Sequence, residues 1–428
     1  MLSIMTDSTT TAHSTSTLWR NTPYLLLMTG KTGQLLGNGV AVFAVPLIAY
    51  GITGSLFWAG VIAAISEIGV LVATLPAGVI ADRVDRRRIL LVCSVLGVVI
   101  WLGLWWADAA GVLNGWELAI ALLVASGIAA FSAPTEAAGI RYVVSSEQLG
   151  SAMAAMQGRG AVASLLASPI GGLLYGLSRA LPFLASAVTY ALAGVTTLFV
   201  RVPLNDRRRA DDSQSAIASL TEGFRFVLTV PVIRTGIGVF AMLNLAFGGV
   251  IVAINLHLVA TRTAPLLIAL IDVISGVAML VGAVIAPSLV KRFRGGPLAV
   301  ICLAPSVVGA FGMALVTNYT GYAVLTVVMT LFIPPANAAL LGYVSAITPQ
   351  NMQARMNSVV SLSWTLVAPI APLLGGILLS TVGVGWTLAV FATVLLLGFL
   401  AFAANRAVRS IGRPDTWDAD LVAWPPSA

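Results

Sequence analysis

The stretch GVIADRVDRRR, Gly78 to Arg88, packs six charged residues into the seven positions Asp82–Arg88 and is flanked by the apolar runs 55–81 and 89–107. Each run is long enough, as a helix rising about 1.5 Å per residue, to cross about 30 Å of hydrocarbon. A turn this charged between runs this apolar reads as a loop in water joining two helices in lipid. Outward from it the pattern repeats. Ten further runs follow, at 23–48, 116–140, 149–177, 181–200, 232–256, 265–290, 297–317, 321–345, 355–380 and 385–404, which makes twelve candidate spans. Composition agrees: hydrophobic residues make up 58%, charged residues only 9%, and mean hydropathy is +0.97, whereas a soluble domain is about a quarter charged.

The net charge of +7 could suggest a nucleic-acid partner, but its placement along the chain argues for a different cause. With the N-terminus in the cytoplasm, Arg83, Arg86, Arg87, Arg88, Arg141, Arg201, Arg207, Arg208, Arg209, Arg225, Lys291, Arg292, Arg294, Arg355, Arg406 and Arg409 share one side, and only Arg179 and Arg262 fall on the other. This is the positive-inside asymmetry of a multi-pass protein of the cell membrane, with both termini cytoplasmic and an even number of crossings. Trp58, Trp105, Trp106, Trp116 and Trp386 fall at the outer interface of that topology, where aromatic side chains anchor.

Several chemistries lose their footing. Gly30-Lys31-Thr32 resembles the end of a phosphate-binding loop, but position 25 is Leu and the lysine sits in an apolar run, not between a strand and a helix. With only His13 and His257, and with Cys93 and Cys302 inside spans, there is no metal-ligand spacing and no hydrolase motif. The expectation is a non-enzyme with no cofactor, no metal and no nucleic-acid partner.

The chain repeats itself. A shift of 209 lays Asp82-Arg83 over Lys291-Arg292 and Cys93 over Cys302; a shift of 201 lays Phe131, Pro134 and Tyr142 over Phe332, Pro335 and Tyr343. A shift of 203 lays Met153, Pro169 and Gly172 over Met356, Pro372 and Gly375. The drift follows the greater length of the loop Asp108–Gly115 over Asn318–Gly321. Two six-span halves are expected, 22–201 and 231–405, joined by a polar cytoplasmic linker at 202–230. Residues 1–21, rich in Ser and Thr and without a leader-type apolar core, read as a disordered cytoplasmic tail, and 406–428 as a second tail.

Ionisable groups inside hydrocarbon cost about 2.5–3.5 kcal/mol on the mildest scale, so those retained face a cavity or a partner. Lys31, Glu67 and Asp272 stand out. Lys31, Gln34 and Asn38 share one face of span 1, where the lysine either snorkels to the headgroups or lines a cavity with the two amides. Glu67 lies about 22 Å along its helix from Asp82, at 1.5 Å per residue, beyond snorkelling reach. Under the 209 shift Asp272 falls on Ala63, one turn from Glu67 on the same face, so the two acids are pseudo-symmetric. A carboxyl whose hydration changes as a cavity opens and closes can load and release a proton; the other reading is a packing hydrogen bond. Glu136 is a third candidate for proton coupling, and Asn244, Asn255 and Asn337 are candidates for a substrate cavity, the other reading being hydrogen bonds between helices.

GVIADRVDRRR resembles the signature between helices 2 and 3 of the major facilitator superfamily: a glycine, three residues, Asp-Arg, then a basic cluster. Asp85 departs from the glycine usual there, but the drug-exporting branch related to macrolide-efflux proteins and enterobactin exporters often reads DRVDRRR. RNTPYLLLMTGKTGQLLGNGV, SSEQLGSAMAAMQ and APLLGG extend the resemblance over almost the whole spanning region. It implies an all-α fold of twelve transmembrane helices, a central cavity lined by helices 1, 4, 7 and 10, and a gating latch formed by Gly78, Asp82, Arg83, Arg86 and Arg87, with Asp82 near the start of helix 11. It also implies a helix-packing role for Pro169, Gly171, Gly172, Pro372, Gly375 and Gly376. Two departures touch proton antiport. ASPIGG in helix 5 displaces the motif proline by one residue, and the arginine many proton-coupled exporters carry in helix 4 is missing from LLVASGIAAFSAP. The expected function is export of an amphiphilic organic compound, a drug or secondary metabolite, by alternating access and proton antiport in a monomer. The alternative is a dedicated siderophore or metabolite exporter of the same fold.

Overall fold

The computed structural model describes residues 18–204, 225, 229 and 231–421. Residues 1–17 of the expected N-terminal tail, most of the linker and 422–428 lie outside them. The described residues form helices and no strand. The first half comprises α1 (Thr22–Thr53), α2 (Leu56–Arg83), α3 (Arg86–Ala109), α4 (Gly115–Ile140), α5 (Leu149–Leu177) and α6 (Leu181–Phe199). The second comprises α7 (Pro231–Ala260), α8 (Pro265–Arg292), α9 (Gly295–Leu315), α10a (Tyr319–Thr330), α10b (Ile333–Ile347), α11a (Gln350–Val367), and the segment Ile370–Ala404.

Polar residues start the helices. Asn21, Ser55 and Asn318 cap α1, α2 and α10a, and Asn114 forms a reciprocal capping box with Glu117 at α4. Asp85, the departure from the usual glycine, caps α3 by accepting from the Arg87 N–H at 2.8 Å and the Arg88 N–H at 3.3 Å. Two helices expected to be continuous are interrupted. α10 breaks at Leu331-Phe332 just before Pro334 and Pro335, and α11 breaks at Ala368-Pro369, because proline cannot supply the helical N–H and crowds the preceding turn.

The apolar segment Ile370–Ala404 holds two crossings. Gly383 (φ 78°, ψ 176°) interrupts it with a left-handed backbone that glycine alone adopts cheaply, separating α11b (370–382) from α12 (384–404). Beyond α12 the Gly295 N–H, at the α8–α9 turn, donates to the Gly412 carbonyl at 2.8 Å. The chain has therefore returned to the face that carries the arginine-rich turns, called here the basic face. Twelve crossings result, as the sequence leads one to expect.

Side chains turned outward are as apolar as those turned inward. On α3, Val92, Val95, Val99, Leu102 and Trp106 form an exposed stripe, which lipid tolerates and water does not.

The halves meet toward the face opposite the basic one. A Cβ on Gly60 of α2 would stand 2.7 Å from the Gly376 Cα of α11b, so these backbones touch. In the pseudo-symmetric pair, a Cβ on Gly172 of α5 would stand 3.0 Å from the Ala269 Cβ and the Pro265 carbonyl of α8. The neighbouring glycines look inward: Gly171 against Phe43 of α1, Gly375 against Val252 of α7. Each Gly-Gly pair thus ties its helix to its own half with one residue and to the other half with the next. Near the basic face, by contrast, the buried clusters around Tyr24, Met28 and Ile140 and around Met352, Met356 and Val359 each stay within one half. Among the described residues, the single buried cluster that contains both halves includes Ala59, Ala253 and Ala269, toward the opposite face.

Candidate functional site

Between the halves lies a cavity of about 430 Å³. α1 contributes Phe43 and Pro46, α5 Ser168, α7 Asn244 and Asn255, and α11 Trp364 and Pro372. Glu67 of α2 and Asp272 of α8 line it together, one acid from each half. Four candidates from the sequence, Glu67, Asp272, Asn244 and Asn255, are therefore brought into one space.

Their surroundings differ. The Asp272 Oδ2 accepts from the Ser168 Oγ at 2.9 Å, a bond that crosses from one half to the other. Glu67 has no hydrogen-bond or ion-pair partner among the described residues. Asn244 Nδ2 and Asn255 Oδ1 are shielded from solvent and unpaired among the described residues. Among the described residues, no Lys, Arg or His lines the cavity. The wall offers two carboxyls, two amides, the hydroxyls of Ser164 and Ser168 and two aromatic rings, a combination suited to an amphiphilic guest and to protons.

Lys31, Gln34 and Asn38 do share a face of α1, but that face turns into the first half. The Lys31 ammonium donates to Gln34 Oε1 at 2.9 Å, Gln34 donates to Ser132 Oγ at 3.2 Å, and the Tyr190 hydroxyl donates to Asn38 Oδ1 at 3.0 Å. The central cavity meets the neighbouring face of α1, at Gly39, Phe43 and Pro46. Glu136 also stands apart. It is held by Arg159 of α5 in a bidentate pair of 2.7 and 3.1 Å, with side chains 4% and 9% exposed. Asn337, half-buried on α10b, does not line the cavity.

The sequence reading passed over Arg159. It lies ten residues into α5, about 15 Å along the helix, so the rule that singled out Lys31 applies to it equally. Ser168 and Trp364 carried no such signal, as neither type is unusual in a span.

In the motif Gly78–Arg87, the Arg86 guanidinium donates to the Leu204 carbonyl at 2.8 Å and stacks over Tyr142, while Arg87 donates to the Leu198 carbonyl at 2.8 Å. These contacts tie the α2–α3 turn to the end of α6, inside the first half. A Cβ on Gly78 would meet nothing within 4 Å, and the side chain of Asp82 lies outside the described residues.

A model of the Major Facilitator Superfamily matches residues 27–333 and, overlapping them, 239–424. Among curated proteins, the chain is 24% identical over 438 aligned positions to the multidrug efflux pump Tap of Mycolicibacterium fortuitum, covering 90% of this chain and 96% of the pump. Among solved structures, a bacterial homologue of the iron transporter ferroportin, inward-facing, superposes with a TM-score of 0.72 at 18% identity, covering 91% of this chain and all (100%) of that one. A bacterial homologue of the lysosomal transporter Spinster, inward-facing and unoccupied, gives 0.70 at 15% identity, with 96% and 100% covered.

Proposed function

Because this chain belongs to the major facilitator superfamily, we propose that it is a plasma-membrane exporter of amphiphilic organic compounds, working by alternating access and driven by proton antiport. The transporter class and the multi-pass fold come with the family; cargo, direction and coupling are the proposal. The observation that carries it is the meeting of Glu67 and Asp272, one from each half, on the wall of a single cavity that no cationic side chain among the described residues lines. A proton carried inward on such a carboxyl leaves when the cavity opens to the cytoplasm, and cargo takes its place. On return to the outward state the order reverses. The name of the Mycolicibacterium relative, a multidrug efflux pump, supports the same cargo class.

In this reading the basic face is cytoplasmic, both termini lie there, and the protein works as a monomer. The seal at Gly60–Gly376 and Gly172–Ala269 closes the outer side, which makes the described conformation inward-facing. The test is a compound screen in inverted vesicles with an imposed pH gradient. Uptake of several amphiphiles that rises with the gradient supports the proposal. Gradient-driven uptake of one compound alone points to a dedicated metabolite exporter, and uptake indifferent to the gradient removes proton coupling.

A further inference from the structure

A second cavity, of about 450 Å³, opens at the membrane boundary of the basic face, away from the central one. Its mouth carries three arginines: Arg292 at the end of α8, Arg294 in the turn that follows, and Arg413 beyond α12. All three are exposed, and none makes an ion pair among the described residues. Below the mouth the wall becomes apolar. Pro297, Ile301 and Pro305 recur at i, i+4 and i+8 on one face of α9, a row about 12 Å long at 1.5 Å per residue, and Phe332 closes the far end in the α10 break. Ile301 is 68% exposed on the lipid-facing side.

Arg413 is brought there by tertiary structure. Gly295 and Gly296 at the start of α9 donate their N–H groups to the Gly412 and Ile411 carbonyls at 2.8 and 3.3 Å. The next turn is pinned by Trp417, 8% exposed, whose indole N–H donates to the Gly412 carbonyl at 3.1 Å and whose ring meets Tyr343 edge-on. The segment after α12 thus forms one wall of the site and fixes an arginine at its rim. In the other half, the 209 shift puts Asp85 opposite Arg294, and that turn spends its charges internally: Asp85 caps α3, and Arg86 and Arg87 bind carbonyls. The α8–α9 turn, KRFRGG, has cations and no acid. Asp415, on the following turn, does not line the cavity.

We propose that this groove is a binding site for an anionic phospholipid of the leaflet at the basic face. The phosphate sits among Arg292, Arg294 and Arg413, and an acyl chain lies along Pro297, Ile301 and Pro305. A cationic mouth over an apolar trough running toward the bilayer interior matches a headgroup above its chain, which a free anion does not require. The site does not depend on the transport reading above.

The test uses the full-length protein in nanodiscs of phosphatidylcholine with a graded fraction of phosphatidylglycerol, and native mass spectrometry to count retained lipid. The wild type should retain one phosphatidylglycerol in preference to phosphatidylcholine. R294Q/R413Q should weaken that retention about 25-fold, on the basis of about fivefold per arginine near a membrane surface. Ile301→Glu should weaken it by obstructing the trough. Both changes are at exposed positions, and size exclusion reports whether each variant is folded. No preference for phosphatidylglycerol in the wild type, or equal retention by folded R294Q/R413Q, overturns the proposal. Displacement by millimolar inorganic phosphate together with indifference to Ile301→Glu would identify a free-anion site and also overturn it.

Discussion

Adding one carbon where the halves touch should move the whole conformational equilibrium. Gly60→Ala places a Cβ 2.7 Å from the Gly376 Cα and 2.5 Å from the Pro372 carbonyl oxygen, both backbone atoms that cannot rotate aside. Overpacking of this kind costs about 1–3 kcal/mol. The contact exists only while the face opposite the basic one is closed, so the cost falls on that state alone and is relieved when α2 and α11b separate. A differential of about 1–3 kcal/mol changes the ratio of closed to open by about 5- to 150-fold. Spin labels at Trp58 and Trp386, both exposed at that face, report the separation by pulsed electron–electron distance measurements in nanodiscs. The long-distance population should grow in Gly60→Ala and in Gly376→Ala. Gly103→Ala is the control, since a Cβ there meets nothing within 4 Å. Identical distance distributions in all four proteins would refute the view that the glycine contacts hold the closed state.

Other outcomes follow from the same structure. Glu136→Gln leaves Arg159 buried without its carboxylate and should cost about 3–5 kcal/mol of stability, read as a drop in the thermal unfolding midpoint, while E136Q/R159M should recover most of it. An unchanged midpoint in the single variant would mean that water reaches the pair. Trp417→Ala should release the segment after α12, so that hydrogen exchange at the Gly295 and Gly296 amides accelerates while α1–α6 amides stay protected. For topology, a cysteine at Asn114 should react with an impermeant maleimide on intact cells and one at Ser146 should not; Cys93 and Cys302 are buried and supply a silent background. Equal labelling at both positions would contradict the proposed orientation.

The spans, the repeat and the cavity acids were legible in the sequence because lipid enforces simple rules: length, charge asymmetry, and a high cost for ionisable groups. Glu67 and Asp272 were found by that cost, and their pairing by the repeat. The orientation of Lys31, Gln34 and Asn38 was not legible. Periodicity shows that they share a face, but not which way α1 is turned. That is set by Gly30, Gly33 and Gly37, which pack α1 against Thr196, Leu192 and Thr189 of α6 and swing the polar face into the first half. The docking of Trp417 on Tyr343 joins residues far apart in sequence and has no periodic signature. The breaks in α10 and α11 were signalled by Pro334, Pro335 and Pro369, yet Pro46, Pro134 and Pro169 sit inside unbroken helices. Proline alone therefore does not decide where a membrane helix ends.

The central claim is that a cavity carboxyl couples cargo to protons, and flux in proteoliposomes with and without a pH step tests it most directly. Glu67→Gln retains size and hydrogen-bonding capacity but cannot titrate. The variant should still exchange cargo down the cargo's own gradient, yet lose the acceleration that a pH step gives the wild type. Undiminished pH-driven flux by Glu67→Gln would remove Glu67 from the coupling mechanism, and the same result with E67Q/D272N would contradict the account.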